Sequence, residues 1–556
     1  MSAPVWSPPD VVASRPAVRV NQVGHAPGGP ARATLLTTDV DPLDAAVVRQ
    51  DGSVVRTGRS QPWPVRPDPS SGLSVHVLDL TGLPEGTYTV TAGGARSHPF
   101  RVATGLHARL RADALRFFTL QRSGSEVVVP GWERPAGHPD TAVPAWSGPD
   151  AEHLYPGWHD DGRYDVSGGW YDAGDYGKYV TSGAIAVWQL LSALDLAPGD
   201  AALVDDCRWQ LDWLLRMQVP AGRPLAGLAF HRVHGTTWSP LPGLPHLDPT
   251  QRVLHRPSTV AALHLAAAAA AGARRLRTVD AAYARRLLAA ARTAYDAARR
   301  HPDLLPPDDH ARHGGGPYPD GDASDDRYWA ATELWLATGE RAYEDDVLRA
   351  SSHAADPFDG AGFDYDDVAA AARLDLALHG GALPDHGRVV DSVLAGADRL
   401  LALQSCQPWG QPYGPADGWV WGSNGRLLNN LVVLGVAHLL TGDAAYRDAV
   451  AGGTDYLLGR NALGQSYVTG HGTDHSRHQR TRQFGHDLDP ALPPPPPGAL
   501  AGGANSVPVP DFPYDPRLVG LPPQWCYLDE PTSEVTNDVC IRWNAPLVWV
   551  TTFLDR

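Results

Sequence analysis

The sequence predicts two domains of different class, an all-β sandwich over residues 17–103 and an all-α domain over 104–556, with residues 1–16 as a loosely attached lead. Three observations carry this. Between Ala17 and Ala103 the text is a series of short runs, AVRVNQV, ARATLLTT, AAVVRQDGSVVRTG, LSVHVLDL, GTYTVTAG and HPFRVA, separated by Gly, Pro and Asp, which is how strands and turns read. From about residue 105 the apolar residues recur at three- and four-residue spacing, the helical period. That period returns about twelve times with little strand signal between the runs.

Taken in order, QDGS at 50–53 reads as a hairpin turn, and several short strands with regular turns suggest a small sandwich. The first helical run, LHARLRADALRFFTLQ, is followed by runs at about 176–195, 202–217, 256–271, 279–300, 324–338, 341–354, 364–379, 386–404, 425–440, 443–458 and 538–554. Twelve runs can pair into six hairpins around a ring, and the count equally allows other helical arrays. The non-helical stretches 124–166, 219–252, 302–323 and 461–537 are long. Long loops in a compact domain usually carry function, so a cleft walled by these loops is expected at one end of the helical domain. LPPPPPG (492–498) reads as a stiff surface loop.

The net charge is −16 with His neutral, which argues against nucleic acid and anionic membranes as partners. Neutral sugars are indifferent to it, and the 18 Trp and 18 Tyr are ample stacking surface. Cys207, Cys406, Cys526 and Cys540 form no CxxC and read as buried free thiols, with a pairing of Cys526 and Cys540 left open. No apolar run reaches membrane-spanning length, and the N-terminus has no signal-peptide pattern. A cytoplasmic protein, or a secreted one whose leader has been removed, is expected, and a monomer. No compact zinc motif and no glycine-rich phosphate loop is present.

The stretch SGGWYDAGDYGKYV (167–180) places Asp172 and Asp175 three apart across Ala173 and Gly174, among Trp170, Tyr171, Tyr176 and Tyr179. Two small residues between the acids imply a tight backbone with both carboxylates on one side. Such a pair can deprotonate a water, and the rings can stack on pyranose faces. The same text equally reads as a polar turn capping a helix from Tyr176.

This stretch resembles the signature of glycoside hydrolase family 9, the inverting cellulases. VRVNQVGHAPGGPARA (18–33) is similar to the start of that family's immunoglobulin-like N-terminal module. DALRFFTLQRSG (113–124), SDDRYWAATELWLATG (324–339), VWGSNGRLLNN (420–430), GRNALGQSYVTG (459–470) and IRWNAPLVW (541–549) match its catalytic domain in order. The resemblance implies an immunoglobulin-like β-sandwich followed by an (α/α)6 barrel. It implies a β-1,4-glucan hydrolase acting on soluble or amorphous cellulose, mixed-linkage glucan or cello-oligosaccharides. An exo-acting oligosaccharide hydrolase of glucosaminidase or β-glucosidase type is the alternative within the family. A carbohydrate-binding protein without catalysis is the alternative outside it.

The resemblance further implies Asp175 as the base and Asp172 as its helper on the water. The family's acid is a Glu in an Asn-Glu-Val segment, and here TNDVCIRWNAP puts Asp538 at that position. The shorter side chain leaves three readings: Asp538 is the acid with its backbone moved inward, Glu534 reaches in instead, or the site is impaired. Where the family has His-His-Arg, this chain has Arg480, Thr481 and Arg482. Arg480, Arg482, Trp421, Trp543, Trp238, His234 and Tyr171 are the expected sugar contacts. No cofactor is expected for the chemistry. Asp325, Asp326 and Asp366 match positions that bind calcium in some members, and calcium requires six to eight oxygen ligands.

Overall fold

The structure, a computed structural model, describes residues 14–148, 150–309, 311 and 313–556. Most of the predicted N-terminal lead, residues 1–13, lies outside the described residues. The part that is described is held: the Arg15 guanidinium donates to the Leu463 carbonyl at 2.8 Å and to Gln465 Oε1 at 2.9 Å.

Ten strands follow: β1 (Val18–Arg19), β2 (Gly24–His25), β3 (Arg32–Leu36), β4 (Asp44–Arg49), β5 (Val54–Arg59), β6 (Gln61–Pro62), β7 (Val75–Asp79), β8 (Gly86–Ala92), β9 (Ala95–Arg96) and β10 (Phe100–Val102). They form two sheets, in the orders β1-β3-β7-β6 and β2-β10-β8-β4-β5, with β9 on β8. Alternation decides which face is inward. Along β8, Tyr88, Val90 and Ala92 are buried while Thr89 and Thr91 are half-exposed, and the inner face meets Val18, Leu35, Val47, Leu78 and Phe100. The 50–53 turn forms as the sequence predicts. Arg49 N donates to Ser53 O at 2.9 Å, and Gly52 has φ +87°, a conformation that glycine adopts without strain.

Twelve longer helices make the second domain: α1 (Ala108–Leu120), α2 (Val180–Leu196), α3 (Ala201–Met217), α4 (Thr259–Arg275), α5 (Ala281–Arg300), α6 (Ser324–Thr338), α7 (Arg341–Arg349), α8 (Ala369–His379), α9 (His386–Ser405), α10 (Ser423–Thr441), α11 (Ala444–Leu457) and α12 (Ile541–Leu554). The even-numbered helices contact one another in sequence, and α12 returns to α2, so they close an inner ring of six. The odd-numbered helices pack outside it. The sequence explains the two layers. Helices α2, α4 and α12 are apolar or small on every side and almost wholly buried, as an inner ring requires. Helix α5 buries only one stripe, including Tyr283, Leu287, Ala291, Ala294 and Ala298. The run Ala266–Ala271 of α4 lets its neighbours approach closely.

The sandwich is bonded to the barrel. Asn21 Nδ2 donates to Asp455 Oδ1 at 2.9 Å, Thr34 Oγ1 to the Pro408 carbonyl at 2.9 Å, and Trp409 Nε1 to Asp68 Oδ2 at 3.2 Å. Two expectations are corrected. The stiff surface loop expected for the proline run is only partly at the surface: Pro494 is exposed, but Pro495, Pro496 and Gly498 are buried, and a Cβ on Gly498 would meet the Asp113 carbonyl carbon at 2.2 Å. All four cysteines are free, but Cys406 is exposed. Among the described residues no helix is long and apolar enough to cross a membrane.

Candidate active site

The N-terminal ends of the inner helices, and the segments leading into them, surround a cavity of about 300 Å³. Its walls include Asp175 and Tyr179 before α2, Tyr318 before α6, Tyr365 before α8, Trp421 before α10, and Asp538, Arg542 and Trp543 at the start of α12. Arg480, Arg482, Phe512 and Trp238 arrive from the long loops.

Several inner helices begin later than their periodicity predicts. Residues 176–179 continue the apolar pattern, yet Lys178–Tyr179 is a strand pairing with Arg232–Val233. Similarly, α12 begins at Ile541 rather than near 538, because Cys540 bridges to Ala173 and Ile541 N donates to Asp172 O at 2.8 Å. Among these extended residues Tyr179, Asp538 and Cys540 line the cavity.

The two acids of the DAGD stretch differ in their access to the cavity. Asp175 lines the cavity, with Oδ2 accepting from Gly177 N at 2.9 Å and from the Tyr179 hydroxyl at 3.1 Å. Asp172 is 1% exposed and lies behind the wall, where its two oxygens accept from the hydroxyls of Ser182 and Tyr318. Burial pushes its carboxyl up to about 6, against the opposing charge of Arg542. Unlike Asp175, Asp172 is not part of the cavity lining, and both of its oxygens are occupied by hydroxyl donors.

Asp538 also lines the cavity and is 8% exposed. Its Oδ1 accepts from Gly174 N at 3.0 Å and from Val539 N at 2.9 Å. This leaves Oδ2 as the oxygen suited to carry a proton. Burial, then the charges of Glu534 and Asp175, push this carboxyl well above the ordinary carboxylate range. Glu534 lines the same cavity, but its Oε2 is 3.0 Å from Arg480 NH2.

Arg482 is buried and braces the wall, donating from Nε to Ser239 O at 3.0 Å and from NH1 to Gly174 O at 3.1 Å. Its guanidinium lies 5.5 Å from the Trp238 ring centroid. Trp421 is half-buried, with its ring edge-on to Phe512 at 4.9 Å. Trp543 contributes to the cavity wall but is otherwise packed into Gly422 and Gly425.

Two expected sugar contacts are corrected. Tyr171 is fully buried and bonded to His138 Nδ1 at 2.8 Å. His234 is fully buried and bonded to Gly235 O at 2.7 Å. Neither lines the cavity. Each is instead tied up by a buried hydrogen bond away from the cavity wall.

Of the acids associated with calcium, Asp326 Oδ1 is 2.6 Å from His264 Nε2, Asp325 Oδ2 accepts from Val368 N at 2.8 Å, and Asp366 pairs with Arg426 at 2.9 Å. Among the described residues no group of three or more His, Cys, Asp or Glu side chains is arranged to hold a metal ion.

Comparisons with known proteins identify the family. The profile described as Glycosyl hydrolase family 9 matches residues 107–551, and the one described as Cellulase N-terminal ig-like domain matches 13–97. The chain belongs to glycosyl hydrolase family 9. It is 45% identical to Endoglucanase C of Cellulomonas fimi, over 97% of this chain and 52% of that protein. It is 34% identical to a cellulose 1,4-beta-cellobiosidase of Acetivibrio thermocellus, over 99% of this chain and 68% of that protein. It therefore spans about half the length of the first relative and about two thirds of the second. A crystal structure of a metagenome-derived family 9 endoglucanase superposes with a TM-score of 0.84 at 31% identity, covering 97% of this chain and 98% of the other. The barrel described above is thus the family's (α/α)6 fold, preceded by its immunoglobulin-like module.

Sequence reasoning missed Tyr318, Tyr365 and Arg542. Tyr318 has φ +47°, uncommon for a residue with a Cβ and a pointer to function. Its ring stacks on Tyr179 at 4.3 Å and tilts against Tyr365 at 4.8 Å, and Arg542 lies 5.8 Å from its centroid. The available signal was an aromatic between two prolines in GGGPYPDGD, directly before a helix.

Proposed function

We propose that this family 9 chain is an inverting endo-β-1,4-glucanase acting on soluble or amorphous cellulose, with Asp175 as base and Asp538 as acid. The observation that carries the reading is that these two carboxyls line one cavity in contrasting settings. Among the described residues Asp175 accepts hydrogen bonds through Oδ2, which leaves Oδ1 for a water. Asp538 has Oδ1 tied to backbone amides and is pushed toward its protonated form.

In the proposed step Asp175 takes a proton from the water. The water oxygen forms a bond to the anomeric carbon on the face opposite the leaving group. The glycosidic C–O bond breaks, and Asp538 gives its proton to the departing oxygen. Solvent then returns each carboxyl to its starting state. The contacting rings of Tyr179, Tyr318 and Tyr365 offer apolar surface to the pyranose. Glu534 is disfavoured as the acid, because its Oε2 is engaged by Arg480 NH2 at 3.0 Å.

The names of the two first relatives, an endoglucanase and a cellobiosidase, support a β-1,4-glucan substrate. Product analysis on cellohexaose, a soluble cellulose derivative and chitosan oligomers tests the proposal. The expected result is internal cleavage of cellohexaose with a rapid fall in viscosity of the derivative. Release of terminal units without viscosity loss, cleavage of chitosan oligomers alone, or no cleavage contradicts it.

A further inference from the structure

Arg480 touches the 531–538 segment at three points. Its NH2 pairs with Glu534 Oε2 at 3.0 Å, its backbone N donates to Asn537 O at 2.9 Å, and its NH1 donates to Pro531 O at 3.4 Å. Glu534 opens the four-residue helical turn Glu534–Asn537 that runs directly into Asp538. Both partners of the pair line the cavity with side chains only 16% and 17% exposed. The turn is further fixed through Asn537, whose Oδ1 accepts from the Tyr527 hydroxyl and whose Nδ2 donates to His478 O, both at 2.6 Å.

We propose that the Arg480–Glu534 pair is a positioning device for proton delivery: Arg480 clamps the turn that aims Asp538, and Glu534 stands beside Asp538 as a fixed negative charge. This rests on the reading of Asp538 as the acid. The charged and titratable groups that line the cavity with Asp538 are Glu534 on its own turn, Arg480 and Arg482 from the neighbouring loop, Asp175 and Tyr179 before α2, Asp308, Tyr318, Tyr365 and Asp511 from other loops, and Cys540 and Arg542 leading into α12. Glu534 and Asp175 favour the proton on Asp538, and Arg480 opposes it. A neutral pair of the same shape would hold the turn but would not set the proton affinity.

The test is the pH dependence of kcat/KM on cellohexaose, whose alkaline limb reports the acid. Glu534→Gln is expected to move that limb to lower pH by about one unit, the scale of a single charge a few ångströms away in a partly solvated site. Arg480→Gln is expected to move it to higher pH. A uniform loss of activity in both variants with the limb unmoved, or shifts of the same sign, overturns the proposal and leaves the pair a packing element. Asp538→Asn is the control for the underlying reading. If it retains cleavage of cellohexaose, the acid assignment itself is wrong, whatever the two pair variants do. If it loses that cleavage while the limb stays fixed in the others, only the positioning proposal fails.

Discussion

The backbone N–H of Gly174 donates to Oδ1 of Asp538 across 3.0 Å, so the loop that carries Asp175 also holds Asp538. The contact is reinforced on both sides. Arg482 N donates to Gly174 O at 2.9 Å, and Ala173 bridges to Cys540. Three segments distant in sequence are thereby locked at the point where the proposed base and acid meet. In the proposed assignment the shorter side chain of Asp538 is offset by its backbone lying directly against the 173–174 loop.

The first prediction concerns Gly174. A Cβ there would stand 2.1 Å from the Arg480 carbonyl oxygen and 2.8 Å from Asp538 Oδ1. Gly174→Ala should separate the loops by an ångström or so and reduce kcat by roughly 100-fold, with a smaller loss of stability. Wild-type kcat in this variant, measured on cellohexaose, would show that the contact is unimportant.

Leaving-group dependence separates the two carboxyls. Asp538→Asn should abolish cleavage of cellohexaose but spare an activated aryl cello-oligoside, which needs little protonation. Asp175→Asn should disable both substrates. Equal losses on both substrates for Asp538→Asn would remove it from the acid role.

Asp172 gives a stability prediction with a definite sign. Its carboxyl is raised from an ordinary 3.8 to about 6 by burial, so the folded state binds the proton more tightly than the unfolded chain. The stabilisation is complete below about pH 4 and is lost as pH rises through 6, amounting to about 3 kcal/mol. Denaturant unfolding at pH 4, 5 and 6 should show this component in the wild type and not in Asp172→Asn. Parallel pH profiles for the two proteins would contradict it.

At the opposite end of the barrel, Arg274 pairs with Glu333 at 3.1 Å and with Asp375 at 2.7 Å, Arg275 pairs with Asp375 at 2.8 Å, and Trp188 Nε1 donates to both acids. Asp375→Ala leaves buried cations without their main partner and should cost about 3–5 kcal/mol. Activity at low temperature should persist, since the cluster is remote from the cavity. A change within 1 kcal/mol would show that the network is dispensable.

The sandwich, the helix count and the cavity-lining residues Asp175, Asp538, Arg480, Arg482, Trp238, Trp421 and Trp543 were legible in the sequence, because strand alternation, helical period and motif are local signals. The direction of side chains in extended segments was not. Tyr171 and His234 lie in aromatic, polar text that also supplies cavity residues, yet both are fully buried in hydrogen bonds that the local pattern does not reveal. Helix starts were misplaced at residues 176–179 and 538–540 for a related reason. Apolar side chains there continue the helical pattern, while long-range pairing to Arg232–Val233 and to Ala173 overrides it. Tyr318, placed by a strained backbone within a loop, has no periodic signature at all.

The stereochemistry of the first product tests the central claim most directly. If Asp175 activates a water while Asp538 protonates the leaving oxygen, no covalent intermediate forms, and each cleavage gives the opposite anomer. Proton NMR during early hydrolysis of cellohexaose should show the α-anomer of the new reducing end appearing first, with the β-anomer growing in only by mutarotation. Initial release of the β-anomer would contradict the assignment of these two carboxyls.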